Sequence, residues 1–138
     1  MSLVPTFATP PGFLGLPQRA AHEGCCIAGI PLDLGTTNRA GARDGPAAIR
    51  RASRMLVDGA HPTTRVDPQT LPLADAGDFA IALGDLHGSL ALIERQAAAF
   101  DHLVALGGEH GITLPLLRAL TKRLGGPVGL VQFDAHLD

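Results

Sequence analysis

The sequence predicts an α/β domain, a mainly parallel β-sheet with helices on both faces, and three observations predict it. Short apolar runs alternate with amphipathic stretches in the order β, α, β, α, β, α, β, the pattern of strands joined by crossover helices. Apolar residues make up 46% of the chain but include only five Phe and no Trp or Tyr, so the core must be aliphatic, which suits buried parallel strands. At 138 residues with 17% charged, the chain has enough material for one domain with a real core and not for two.

Taken in order, residues 1–24 are rich in Pro and Gly (Pro5, Pro10, Pro11, Gly12, Gly15, Pro17) and read as an irregular lead-in, with Phe13-Leu14-Gly15-Leu16 packing on the body. Residues 25–30 form an apolar run closed by Pro31, a buried strand. The following stretch, 32–45, has the Gly, Asn and Thr content of turns. Because it leaves a strand's carboxyl end, it is a candidate wall of a ligand crevice. Pro46 suits the first turn of a helix over 47–56. Residues 57–70 are a polar loop, and His61 within it is read as solvated. A strand at 71–76 closes at Gly77-Asp78. A helix at 86–100 turns the stripe Leu90, Ile93, Ala97 inward. Residues 102–106 form a third strand and 113–124 a third helix, which Gly125-Gly126-Pro127 ends. A fourth strand is expected at 128–133.

Several classes are disfavoured. A net charge of -2 leaves no basic stripe to neutralise phosphates, so no nucleic-acid partner is expected. The cluster Arg50, Arg51, Arg54 reads as a solvated helix face. Residues 1–18 lack the basic and apolar regions of a signal peptide, and no run is long and apolar enough for a membrane span. The two cysteines, Cys25 and Cys26, are adjacent on a strand and point apart, so they read as small hydrophobes in a reducing, cytoplasmic compartment.

The strongest chemical signal lies in Asp134-Ala135-His136-Leu137-Asp138. On extended backbone, side chains at every second position share a face, so two carboxylates and an imidazole converge on one volume. Unpaired, the two carboxylates would repel each other and resist desolvation; a divalent cation resolves that conflict. His110, just past the strand 102–106, is a candidate fourth donor, because ligands of open α/β sheets bind beyond the strands' carboxyl ends. Imidazole mixed with carboxylate suits Mn²⁺, Fe²⁺ or Zn²⁺. Glu109 is read as structural or as supporting a ligand, and not as a ligand itself. Asp33, Asp75, Asp78, Asp85 and His87 are read as loop hydrogen-bonding or capping groups.

At Gly107-Gly108-Glu109-His110-Gly111-Ile112-Thr113 and Phe133-Asp134-Ala135-His136-Leu137-Asp138, the sequence resembles the ureohydrolase family of arginase and agmatinase. Gly29-Ile30-Pro31-Leu32-Asp33, the segment from Gly41-Ala42-Arg43-Asp44-Gly45-Pro46 to Arg50, and Asp75-Ala76-Gly77-Asp78 extend the likeness over most of the chain, agmatinase-type members being nearest. Gly111 stands where the family usually has Ser, and Asp44 where an aromatic residue is common.

The resemblance implies a three-layer α/β/α fold with two Mn²⁺ ions at the strand ends, in which a bridging hydroxide attacks the guanidinium carbon and releases urea and an amine. Carried over by motif, His110 and Asp138 hold one manganese and His136 the other, with Asp134 bridging. The implied substrate is a small guanidino compound, agmatine first and guanidinobutyrate next, and the implied assembly a trimer or hexamer. The family's later Ser-x-Asp-x-Asp motif and its substrate-binding His and Glu have no counterpart in these residues. The expectation is therefore an N-terminal portion of a single ureohydrolase domain, residues 1–138, ending on a strand with a bare edge and of little activity alone. Two alternatives stand beside it: formimidoylglutamate hydrolysis, and a non-catalytic remnant that binds a partner.

Overall fold

The computed structural model of the chain describes residues 12–16, 24–56 and 60–136. Strands β1 (Cys25–Ile30), β2 (Leu73–Asp78) and β3 (His102–Gly107) form one sheet in the order β2-β1-β3, with both pairings parallel. Helices α1 (Gly45–Ser53), α2 (Leu86–Ala97) and α3 (Thr113–Leu124) connect and follow them. Their termini obey local chemistry. Pro46 opens α1. The Asp85 carboxylate caps α2 by accepting from Gly88 N–H. Gly125, at φ 69°, ends α3 in the left-handed conformation that glycine adopts freely.

Three layers result. Along β1, Cys26, Ala28 and Ile30 face α2 and α3, joining Ile93, Ala97, Phe100, Ile112 and Ala119 in the main core. Ile27 faces the other way, toward Leu16 of the lead-in and Leu106 of β3. The expected inward stripe of α2 is realised: Ile93 is fully buried and Ala97 nearly so, with Leu90 packed against the same core. A side chain the size of Ile93 contributes about 1.5–3 kcal/mol by such burial. The lead-in also packs as expected, since Phe13 N–H donates to Asp75 and Leu14 N–H to Ser53 Oγ.

Two expectations are corrected. Arg50 is not part of a solvated face: it is only 5% exposed, although Arg51 and Arg54 are exposed as read. Its Nε and Nη2 donate to the two oxygens of Asp75 at 2.8 Å each, and Nη1 bonds Asp78. The geometry rests on a register slip between Ile27 and Gly29, which leaves Asp78 paired with Gly29. Gly77, at φ 76°, absorbs the extra residue. Asp75 and Asp78 thereby reach the α1 face together. The strand also runs to Asp78 rather than ending at residue 76, for the same reason.

The second correction concerns residues 128–133, which carry no strand. Val131 and Phe133 are 79% and 97% exposed. A strand is defined by its ladder, and among the described residues this segment forms none. Gly129 weakens the run from within. At its end the Asp134 carboxylate accepts from His136 N–H at 3.0 Å, a local bond that competes with extended backbone. The spacing that would put Asp134 and His136 on one face of a strand is thus not realised as a strand.

Candidate functional site

At the carboxyl end of the sheet the exits of β1 and β3 are joined. Gly108 N–H donates to Ile30 O at 3.2 Å and Glu109 N–H to Leu32 O at 3.0 Å. The Glu109 carboxylate then accepts from Gly35 N–H at 2.8 Å and holds the crevice-wall loop against the turn carrying His110. Glu109 thus has a structural role in holding this loop.

The loop itself is folded around Asp33. This carboxylate accepts from Gly41 N–H at 2.8 Å, Arg43 Nε at 3.0 Å and Thr36 Oγ1 at 3.1 Å. Led by the Gly41 bond and then Arg43, these donors bring its pKa down from 3.8 to about 2. A depressed carboxyl stabilises the fold above its unfolded value, and the contribution disappears as pH falls from about 3.8 through 2. The carboxyl ¹³C resonance of Asp33 should therefore report an ionised group at pH 3, where an ordinary Asp is largely protonated. Titration at the ordinary value would show that the loop is not organised around this carboxylate.

His110 lies in a single 3₁₀ turn, His110–Ile112, that leads into α3, and it is exposed. Asp134 is gathered by its own neighbours: besides His136 N–H, Gln132 Nε2 donates to it at 3.2 Å. His136 N–H first, then Gln132, lower its pKa, and the charge of His110 lowers it further. The turn of His110 and the segment that leads to Asp134 face each other across a cleft lined by His110, Leu130 and Gln132. His136 Nδ1 lies 3.4 Å from Asp134 Oδ1. Asp138 lies outside the described residues, so the fourth expected donor has no position here. Among the described residues no group of three or more His, Cys, Asp or Glu is drawn close enough to hold a metal ion.

Two clefts flank His110. One of about 730 Å³ lies between the loop carrying Thr36 to Arg39 and Glu109, His110 and Leu114. The other, about 450 Å³, lies between His110, Leu117 and the segment Leu130 to Gln132. A smaller cavity of about 290 Å³ sits at the opposite end of the sheet, by Cys25 and His102. Parallel α/β sheets bind ligands at carboxyl ends, so chemistry belongs with the first two. Arg39, which sequence reasoning did not single out, lines the first of these clefts. The only signal available for it was the reading of its loop as a crevice wall.

A parallel sheet between helical layers, presenting imidazole and carboxylate groups beyond its strand ends, defines a three-layer α/β protein with its site at the carboxyl edge. The chain belongs to the arginase family, whose model matches residues 23–138. It is 44% identical over 133 residues to the mitochondrial guanidino acid hydrolase of Homo sapiens, covering 89% of this chain and 36% of that protein. Among solved structures it is similar to a hypothetical agmatinase from Burkholderia thailandensis, with TM-score 0.81 and 34% identity over 96% of this chain and 44% of the other. It is likewise similar to Trypanosoma cruzi formiminoglutamase with Mn²⁺, with TM-score 0.72 and 31% identity over 94% and 46%. The chain therefore spans less than half the length of each of these relatives.

Proposed function

We propose that the protein is a manganese-dependent amidinohydrolase that converts a small guanidino compound to urea and an amine. His110, Asp134, His136 and Asp138 are the residues that would hold the metal. The observation that carries this reading is the approach of two distant segments: His110 and Gln132 line one cleft, Gln132 donates to Asp134, and Asp134 sits beside His136. Two imidazoles and a carboxylate fit Mn²⁺ in kind. A bound Mn²⁺ lowers the pKa of water and makes hydroxide available at neutral pH.

The chain's own residues bind and orient. Glu109 fixes the loop against the His110 turn, keeping the 730 Å³ cleft open beside the donors. In the overall reaction water adds to the guanidinium carbon, the bond from that carbon to the alkyl-bearing nitrogen breaks, and the departing nitrogen takes up a proton as the amine leaves. Family membership supports the hydrolase class. Formimidoylglutamate hydrolysis is the second reading, favoured by the formiminoglutamase likeness; it would yield formamide instead of urea. A cytoplasmic setting fits the cysteines, which form no disulfide, and no helix among the described residues is long and apolar enough to cross a membrane.

Calorimetric or EPR titration of the purified chain with Mn²⁺ tests the ligand assignment. Asp134→Asn is expected to weaken binding by at least about 10–100-fold, the loss typical even for groups that only support a ligand. An Asn variant that binds Mn²⁺ like the parent chain would remove Asp134 from the site. Because the family's second ligand motif is not among these residues, the chain alone is expected to release little urea from agmatine.

A further inference from the structure

We propose that residues 61–66 form a pH-sensitive latch, closed while the imidazole of His61 is neutral and opened when the ring takes up a proton. The latch lies in the loop between α1 and β2, on the approach to the amino end of β2. It is therefore remote from the crevice at the strands' carboxyl ends, and the hydrolase reading plays no part in it.

The segment closes on itself through His61. The backbone of His61 donates from N–H to Val66 O at 2.9 Å, and its carbonyl accepts from Arg65 N–H at 2.8 Å. Its ring supplies the rest: Nδ1 accepts from Thr64 N–H at 3.1 Å and from Thr63 N–H at 3.3 Å. A ring nitrogen that accepts carries no hydrogen, so the proton of the neutral imidazole sits on Nε2. Protonation places a hydrogen on Nδ1 as well, and the acceptor becomes a donor facing two other donors. Nothing nearby offsets that loss. His61 is exposed, and among the described residues no charged side chain of α1, β2 or the lead-in is bonded to it. Within the loop, the Arg65 guanidinium adds like charge, and Asp67 Oδ1 already accepts from Gln69 N–H at 2.9 Å. Arg65 is also held at φ 59°, a left-handed conformation that costs a residue with a side chain, so opening relieves strain. Histidine changes charge between about pH 5 and 8, whereas the Asp75 carboxyl lies below its ordinary value, so mild acid reaches the latch and leaves the Arg50 pair intact. The opened form presents the loop tip at Arg65, the kind of site where proteolytic nicking concentrates.

The test is an NMR titration of the full chain, labelled with ¹⁵N and ¹³C, from pH 8 to pH 5. The amides of Thr63 and Thr64 should move with the same midpoint as the ring carbons of His61, while amides of α2 and the sheet stay in place. Hydrogen exchange at Thr63 and Thr64 should quicken by about 5–150-fold beyond the change pH makes in the intrinsic rate, as expected for the loss of two neutral hydrogen bonds. His61→Asn sets an acceptor that takes up no proton where Nδ1 stands, so its Thr64 amide should stay closed and flat across the range. His61→Ala should show the open positions at every pH. Three results would overturn the proposal: Thr63 and Thr64 amides that stay flat while the His61 ring titrates, a Thr64 amide that still titrates in His61→Asn, or core amides that move with the same midpoint and so report global unfolding. The first and third come from the parent chain, so they stand even where the Ala variant does not fold.

Discussion

Arg50→Ala should lower the unfolding free energy by about 3–5 kcal/mol, the cost of stripping one partner from a buried ion pair. Asp75 is fully buried, and Arg50 covers both of its oxygens in a bidentate grip while its Nη2 also donates to Gly77 O at 2.9 Å. With the guanidinium gone, the carboxylate keeps, among the described residues, the N–H groups of Phe13 and Gly77. The damage would spread, because this one pair joins α1, the end of β2 and the lead-in. Against a typical domain stability of about 5–15 kcal/mol the loss is large. Burial by itself would raise the Asp75 pKa, but the Arg50 bond, then those from Phe13 and Gly77, outweigh it and hold the carboxyl below its ordinary value. Its contribution is therefore complete at neutral pH and is lost as pH falls below about 3.8. Urea denaturation at pH 7 measures the effect. A loss under about 1 kcal/mol would mean that the pair is no better than a surface contact.

That pair also marks where the sequence stops being readable. Helix and strand periods, Pro46, Asp85 and Gly125 are local signals, and the six elements they define stand in the order expected. Arg50 is a different matter. Whether an arginine at that helical position is solvated depends on Asp75 and Asp78, more than 20 residues downstream, and on a one-residue slip at Gly77 that brings both to the same face. Periodicity within α1 contains none of that. Residues 128–133 fail in the opposite sense: they have the composition of a strand, but no ladder partner among the described residues. Composition reports propensity, whereas a strand exists only through its neighbours. At the site, the position of the His110 turn beyond β3 was legible from the sequence, because it directly follows the strand's carboxyl end. Which side chains of the loop line the cleft was not. Arg39 and Arg43 look alike in sequence, and only the fold around Asp33 separates the one that holds the loop from the one that faces the cleft.

Gly108→Ala should cost about 3 kcal/mol, at the upper end for overpacking, and should disable the site along with the fold. The reason for glycine here is proximity and not dihedral freedom, since Gly108 is not among the residues with positive φ. A methyl group at this position would strike Ile30 O and come within 2.6 Å of Leu32 O and 2.8 Å of Leu32 N. All three are backbone atoms, so no rotamer change relieves the clash. The exits of β1 and β3 would have to separate. Separation breaks the bonds from Gly108 N–H to Ile30 O and from Glu109 N–H to Leu32 O, which set the height of the His110 turn. Glu109 would then lose its hold on Gly35, and the wall bearing Arg39 would drift from His110. Gly126→Ala is the matched control, because a Cβ there meets nothing within 4 Å. Denaturation midpoints should fall for the first variant and barely move for the second. Amide hydrogen exchange separates local from global effects: loss of protection at Gly108 and Glu109 alone would place the strain in the turn. A Gly108→Ala chain as stable as the control would show that β1 and the His110 turn do not meet as closely as described.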